Sequence, residues 1–247
     1  MARENVSIPT KDGSCDTAVF TPGGAGQWPA VIAYMDAIGP RPAMFAIGET
    51  LAQAGFVVLV PDLYYRAGAY PPLDPKTMFT EEEARKKFMA LRATTGNQRA
   101  GGEDTSAFLA YIDTRKDVAG KKIGTTGYCM GGGISISAAG LHGGRIAAAA
   151  SFHGGNMATD QADSPHLQAA NIKGEVYVAG ADKDNSYPPE MAARLEKALS
   201  DAGVKHRCEI YADAMHGWTM TDLAIYNQAA AERHMRELTG LMKRVLG

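Results

Sequence analysis

Cysteine is scarce: Cys15, Cys129 and Cys208 are the three in a chain of 247 residues. Their number is odd, their spacings are wide and none forms a C-x-x-C pair, which excludes a disulfide framework and a cysteine-based zinc site. Cys15 and Cys208 fall in strand-like runs and read as small buried apolar residues. A charge excess is also missing. Lys and Arg number 25 against 27 Asp and Glu, a net charge of -2, so no polyanion-binding face is expected and nucleic acid is not a partner. No apolar run is long enough to span a bilayer, and the opening stretch from Met1 to Gly13 is polar, without the apolar core of a signal peptide. No membrane association is expected, and the location expected is cytoplasmic.

Apolar residues make up 45% of the chain, enough for one large core, and no repeat, low-complexity tract or linker divides it. The expectation is a single domain over residues 1–247. Strand and helix patterns alternate. Asp16 to Thr21 reads as a strand ended by Pro22-Gly23-Gly24, and Ala30 to Met35 as a strand covered on both faces. A helix over Ala43 to Ala54 is closed by Gly55, and Phe56 to Val60 is the next strand. A long connection rich in Pro, Gly and Tyr follows, from Tyr64 to about Thr80; loops of that length are usually functional or mobile. Helices are predicted over Glu81–Ala93, Gln98–Tyr111, Pro189–Asp201 and Asp222–Leu246, and strands over Ile146–Phe152, Glu175–Ala179 and Arg207–Tyr211. Such alternation calls for an α/β fold: an open, mostly parallel sheet with helices on both faces.

The most informative segment is Gly127-Tyr128-Cys129-Met130-Gly131. A short buried strand, Lys122 to Thr126, precedes it, and a small, apolar stretch from Gly132 to Leu141 suits a helix packed on a sheet. Strand, sharp turn and helix with a nucleophile between two glycines is the nucleophile elbow, G-x-[S/C]-x-G. The helix N-terminus aims free N–H groups at the sulfur and at a developing oxyanion.

In open α/β sheets, functional side chains gather at the carboxyl ends of strands. Cys129 meets that condition, as do Asp182, just past Val176 to Gly180, and His216, in Asp213-Ala214-Met215-His216-Gly217-Trp218. The order nucleophile, acid, histidine is that of the α/β-hydrolase arrangement. In that reading His216 moves the thiol proton, Asp182 orients the imidazole, and the N–H groups of Met130 and Ala37 form the oxyanion hole. Asp184 and Asp213 are rival acids and His153 is a rival base, although its position suits a pocket wall.

These residues resemble the dienelactone hydrolase family, cysteine members of the α/β-hydrolase fold. The resemblance spans nearly the whole chain: Pro61-Asp62-Leu63-Tyr64-Tyr65-Arg66, Leu73-Asp74-Pro75, Gly127-Tyr128-Cys129-Met130-Gly131-Gly132, the aspartate Asp182 after the Gly180 strand end, and His216-Gly217. It implies a Cys129, Asp182, His216 triad that opens lactones or related esters through a thiol ester, without metal or organic cofactor. It also implies a thiol-modulating carboxylate at the end of the third strand, which here is Asp36, one methylene shorter than the family's glutamate. Arginines that hold a substrate carboxylate are not where the family has them: Met220 and Glu81 stand there, leaving Arg85 or Arg66 as substitutes. Trp218, Met215, Met220 and Tyr70 suggest a more apolar, substrate-contacting wall.

The function expected is therefore hydrolysis of a small lactone, ester or thioester. A non-catalytic ligand-binding or thiol-sensing module on the same fold is the alternative, because a low-pKa thiol is also readily oxidised. Acyl transfer or dehalogenation on the same scaffold is a third option.

Overall fold

Two runs without a polar interruption, Ala30–Tyr34 and Val57–Pro61, form strands buried along their entire length. Continuous apolar runs of this kind belong to parallel sheets covered on both faces. The computed structural model describes residues 1–78, 80–95 and 97–247. The described strands are β1 (Ala2–Thr10), β2 (Gly13–Thr21), β3 (Ala30–Tyr34), β4 (Val57–Pro61), β5 (Ile123–Tyr128), β6 (Ile146–Phe152), β7 (Glu175–Ala181) and β8 (His206–Tyr211). They form one sheet in the order β1-β2-β4-β3-β5-β6-β7-β8. β1 and β2 pair antiparallel, as do β2 and β4, and every later pairing is parallel.

β1 lies where only a polar stretch was expected. It is an edge strand, exposed at most positions, so its sequence carries polar residues on both faces and no alternating apolar signal. Its pairing with β2 runs in unbroken register from Ala2 opposite Thr21 to Thr10 opposite Gly13.

The helices are α1 (Pro42–Gln53), α2 (Glu82–Thr94), α3 (Gln98–Glu103), α4 (Thr105–Thr114), α5 (Met130–Leu141), α6 (Pro189–Asp201) and α7 (Gln228–Leu246). The helix expected over Gln98–Tyr111 is two, broken at the buried Asp104, whose carboxylate accepts from Tyr65 Oη and from Arg66. The last helix begins at Gln228 rather than Asp222, because Asn227 caps it: Asn227 Oδ1 accepts from Ala230 N at 3.1 Å. None of the described helices is long and apolar enough to cross a membrane.

α5 is the central helix, and all but its last residue are buried. It packs against α3, β3, β5 and β6. Its start is fixed by β5, which delivers Cys129 to the carboxyl edge of the sheet. The loops after β3, β7 and β8 reach the same edge and bring Ala37, Asp184 and His216 beside it.

The connection from residue 64 to 80 contains a short 3-10 turn, Tyr65–Ala67, and is anchored by Tyr70 Oη, which donates to the Asp62 carboxylate at 2.7 Å. Residue 79 lies outside the described residues.

Candidate active site

Cys129 has φ 54 and ψ -117, a left-handed conformation that an L-residue with a side chain adopts only under constraint. The flanking glycines are what make the turn possible. A Cβ on Gly127 would stand 1.8 Å from Gly131 O, and one on Gly131 would stand 2.5 Å from Met35 O and Tyr34 O. No larger residue fits at either place without moving backbone. The elbow thus projects a half-buried thiol at the N-terminus of the 12-residue helix α5.

His216 lines the cavity with Cys129, and the sulfur is close enough to raise its pKa. His216 Nδ1 lies 2.6 Å from Asp184 Oδ2. Asp184 is buried, and its second oxygen accepts from Ser186 N at 2.8 Å and from Ser186 Oγ at 2.6 Å. Burial alone would raise the Asp184 carboxyl, but the bonds from His216 and Ser186 outweigh it and hold it below the usual carboxylate range. Burial likewise disfavours a charged His216, yet the bond to Asp184 and the neighbouring Cys129 sulfur push its pKa up to about 10.

The acid on the histidine is Asp184, and the expectation for Asp182 is corrected. Asp182 N donates to Ala214 O at 2.8 Å, which keeps its backbone in line with the end of β7. The chain then turns at Lys183, whose φ is 56, and only after that turn does a carboxylate meet the ring. Asp182 remains a half-exposed residue of the cavity wall. The signal for the right residue was present in the sequence as Asp184-Asn185-Ser186, the spacing of an Asx-turn. Asp213, the other rival acid, is exposed and sits at φ 59 in the turn before His216.

Met130 opens α5, where its N–H has no intrahelical partner. It and Ala37 both line the cavity beside Cys129. Tyr64 Oη donates to Ala37 O at 2.6 Å and fixes the loop that carries Ala37.

Asp36 does not line the cavity and is engaged by an arginine. Its two oxygens accept from Arg41 Nη1 and Nη2 at 2.6 and 2.9 Å, and Oδ1 also accepts from Ile38 N at 3.0 Å. The buried Arg41 extends the bridge to Asp222, donating from Nε at 2.6 Å and from Nη2 at 3.1 Å. Arg41 carries no local motif, so the sequence did not expose this pairing. Trp218 is fully buried beneath the site, stacked on Tyr211 at 5.2 Å, and does not line the cavity. Arg85 is exposed on α2 and does not line the cavity; Arg92, two turns later on the same helix, does. Arg66 is occupied by Asp12 and Asp104. Met215 is exposed at the rim, whereas Met220 is fully buried.

The cavity has a volume of about 800 Å³, within the range of small-molecule sites. Its lining mixes the charges of Arg92, Lys183, Asp182 and Asp213 with the apolar Met215. Among the described residues no cluster of His, Cys, Asp and Glu side chains is placed to hold a metal ion.

Comparison with known proteins identifies the family and the fold. The profile of the Dienelactone hydrolase family matches residues 15–246. A Synechocystis sp. protein provisionally named a carboxymethylenebutenolidase is 28% identical over 227 residues, covering 92% of this chain and 90% of its own. The carboxymethylenebutenolidase of Pseudomonas putida is 27% identical over 139 residues, 56% of each chain. Among solved structures, a provisionally named dienelactone hydrolase of Klebsiella pneumoniae superposes with a TM-score of 0.81 at 21% identity, over 98% of both chains. The α/β-hydrolase fold is thus shared with that protein, and the chain belongs to the dienelactone hydrolase family as a hydrolase.

Proposed function

We propose that the protein hydrolyses small carboxylic esters, lactones or thioesters, with Cys129 as nucleophile, His216 as acid and base, and Asp184 as the residue that orients His216. The observation that carries this reading is the position of the His216 ring, in the cavity that Cys129 lines and bonded through Nδ1 to Asp184 Oδ2 at 2.6 Å.

The steps follow from that pairing. The Cys129 sulfur, as thiolate, attacks the carbonyl carbon, and the carbonyl π electrons move onto oxygen. The N–H groups of Met130 and Ala37 receive that oxyanion; one such donor is worth about 3 kcal/mol of barrier. Collapse expels the alcohol, enol or thiol, which takes the proton of the His216 imidazolium and leaves an acyl thioester on Cys129. His216, now neutral, removes a proton from water, and the hydroxide adds to the thioester. Collapse of the second oxyanion releases the acid and restores the thiolate and the imidazolium. Asp184 remains ionised throughout and holds the imidazole with Nδ1 protonated.

The cavity volume and its mixed lining suit a compact substrate with polar substituents. The test is turnover of p-nitrophenyl acetate and of a dienelactone by wild type, Cys129→Ala and His216→Ala. Activity on either that is lost in both variants supports the proposal. Undiminished turnover by Cys129→Ala would overturn it, and tight ligand binding without turnover would favour the thiol-sensing reading.

A further inference from the structure

His153 is fully buried at the end of β6 and belongs to no step of the reaction described above. It has φ 39, a left-handed conformation, and its own N–H donates to Ala179 O at 2.8 Å. A side chain bearing a ring at such a φ is held at a cost and persists where its surroundings over-determine it.

The ring is bonded at both nitrogens. Nδ1 lies 3.1 Å from the backbone N of Cys129, and Nε2 lies 2.7 Å from Thr219 Oγ1. A backbone N–H can only donate, so Nδ1 is the acceptor and carries no proton. The proton is then on Nε2, which donates to Thr219. Both contacts require a neutral ring, and burial, followed by the charges of His216 and His234, lowers the His153 pKa well below its ordinary value.

We propose that His153 is a positioning residue for the nucleophile: its Nδ1 lone pair fixes the Cys129 N–H, and with it the direction in which the elbow presents the thiol. This rests on Cys129 being the nucleophile. The Cys129 N–H is shared, since Phe152 O also accepts it at 3.2 Å. Phe152 O continues the parallel β5–β6 pairing by one residue, and the second acceptor, His153 Nδ1, meets the same N–H at the residue where φ turns positive. The same ring packs edge-on against His216 at 5.3 Å and against Trp218 at 4.9 Å. One side chain therefore touches the backbone of the nucleophile and the ring of the base. The buried Trp218, which the sequence suggested as a substrate contact, acts here as the floor that keeps His153 upright.

Three measurements test this. Nitrogen NMR of the resting protein should show His153 Nδ1 unprotonated and Nε2 protonated; the opposite tautomer would overturn the proposal. His153→Phe keeps the ring and loses the acceptor, while His153→Asn restores an acceptor near the Nδ1 position. Iodoacetamide alkylation of Cys129, corrected with Cys129→Ala, should slow about 3- to 10-fold in His153→Phe, the scale of one net hydrogen bond. The kcat for p-nitrophenyl acetate should fall with it at unchanged KM. In His153→Asn both should recover to within about twofold of wild type. Equal losses in Phe and Asn variants, or lower thermal stability without slower alkylation, would mean a packing role only and overturn the proposal. Should His153→Phe not fold, Thr219→Val removes the Nε2 anchor and should slow alkylation by a similar factor; an unchanged rate would contradict the proposal. Alkylation and NMR need no ester turnover. A wild type that alkylates as described but hydrolyses nothing would sink the hydrolase chemistry and leave this inference standing.

Discussion

His216 Nδ1 and Asp184 Oδ2 stand 2.6 Å apart, with Ser186 closing the other face of the same carboxylate at 2.6 Å from Oγ. The neighbouring Asp182 is turned to the cavity wall. Asp184→Asn would keep the shape but leave the imidazole without its anionic partner, and it should lower kcat/KM by about 100-fold or more. Asp182→Asn should stay within about threefold of wild type on a neutral ester, since no hydrogen bond ties it to the ring. Steady-state kinetics of the two variants side by side decide between the acids.

The Asp36–Arg41–Asp222 bridge joins the loop of Ala37 to the segment after His216. Arg41 is buried, and its fork engages both carboxylates with two bonds each. Arg41→Met strands the largely buried Asp36 carboxylate, and urea unfolding should show a loss of about 3–5 kcal/mol. Arg41→Lys keeps one charge but cannot reproduce the fork, so it should recover only part of that loss.

Acid sensitivity should come from the buried neutral histidines outside the chemical steps, His153 and His234. His234 is buried, with Nε2 2.9 Å from Tyr128 Oη, and burial lowers its pKa to about 4. The unfolded chain binds this proton near pH 6.5 and the folded chain does not, so stability should fall as pH drops from about 6.5 toward 4. His216 acts in the opposite sense and in another window. Its folded pKa is raised to about 10, so its contribution is complete below about 6.5 and is lost as pH climbs to 10. Denaturation midpoints across pH should show both slopes, the acid one weakened in His234→Gln and the alkaline one in His216→Gln.

Gly131→Ala should abolish activity or folding, because the added Cβ would meet Tyr34 O and Met35 O at 2.5 Å with nothing but backbone to move. Gly120→Ala is the control: φ is 71 there, but no atom lies within 4 Å of the place an added methyl would occupy. That variant should lose only the modest cost of a left-handed alanine, about 1–2 kcal/mol, and remain active. Soluble yield and turnover of the two separate the cases.

The elbow, the buried strands β3 and β4 and the place of His216 were legible because each is written in a local run: glycines around Cys129, continuous apolar stretches, and a histidine past a strand end. What escaped was set by directions and distant partners. Strand β1 shows no apolar alternation because most of its residues are exposed. Choosing between Asp182 and Asp184 needed the turn at Lys183, and the fate of Asp36 needed Arg41 and the remote Asp222. Trp218 stands two residues from His216, yet proximity along the chain said nothing of its side chain, which points into the core.

The most direct test is intact-mass spectrometry of the protein quenched during turnover of p-nitrophenyl acetate, followed by peptide mapping. The account predicts one acetyl group on Cys129, absent from Cys129→Ser after the same quench and accumulating when Asp184→Asn slows its release. An acetyl group on any other residue, or steady hydrolysis with Cys129 never modified, would contradict it.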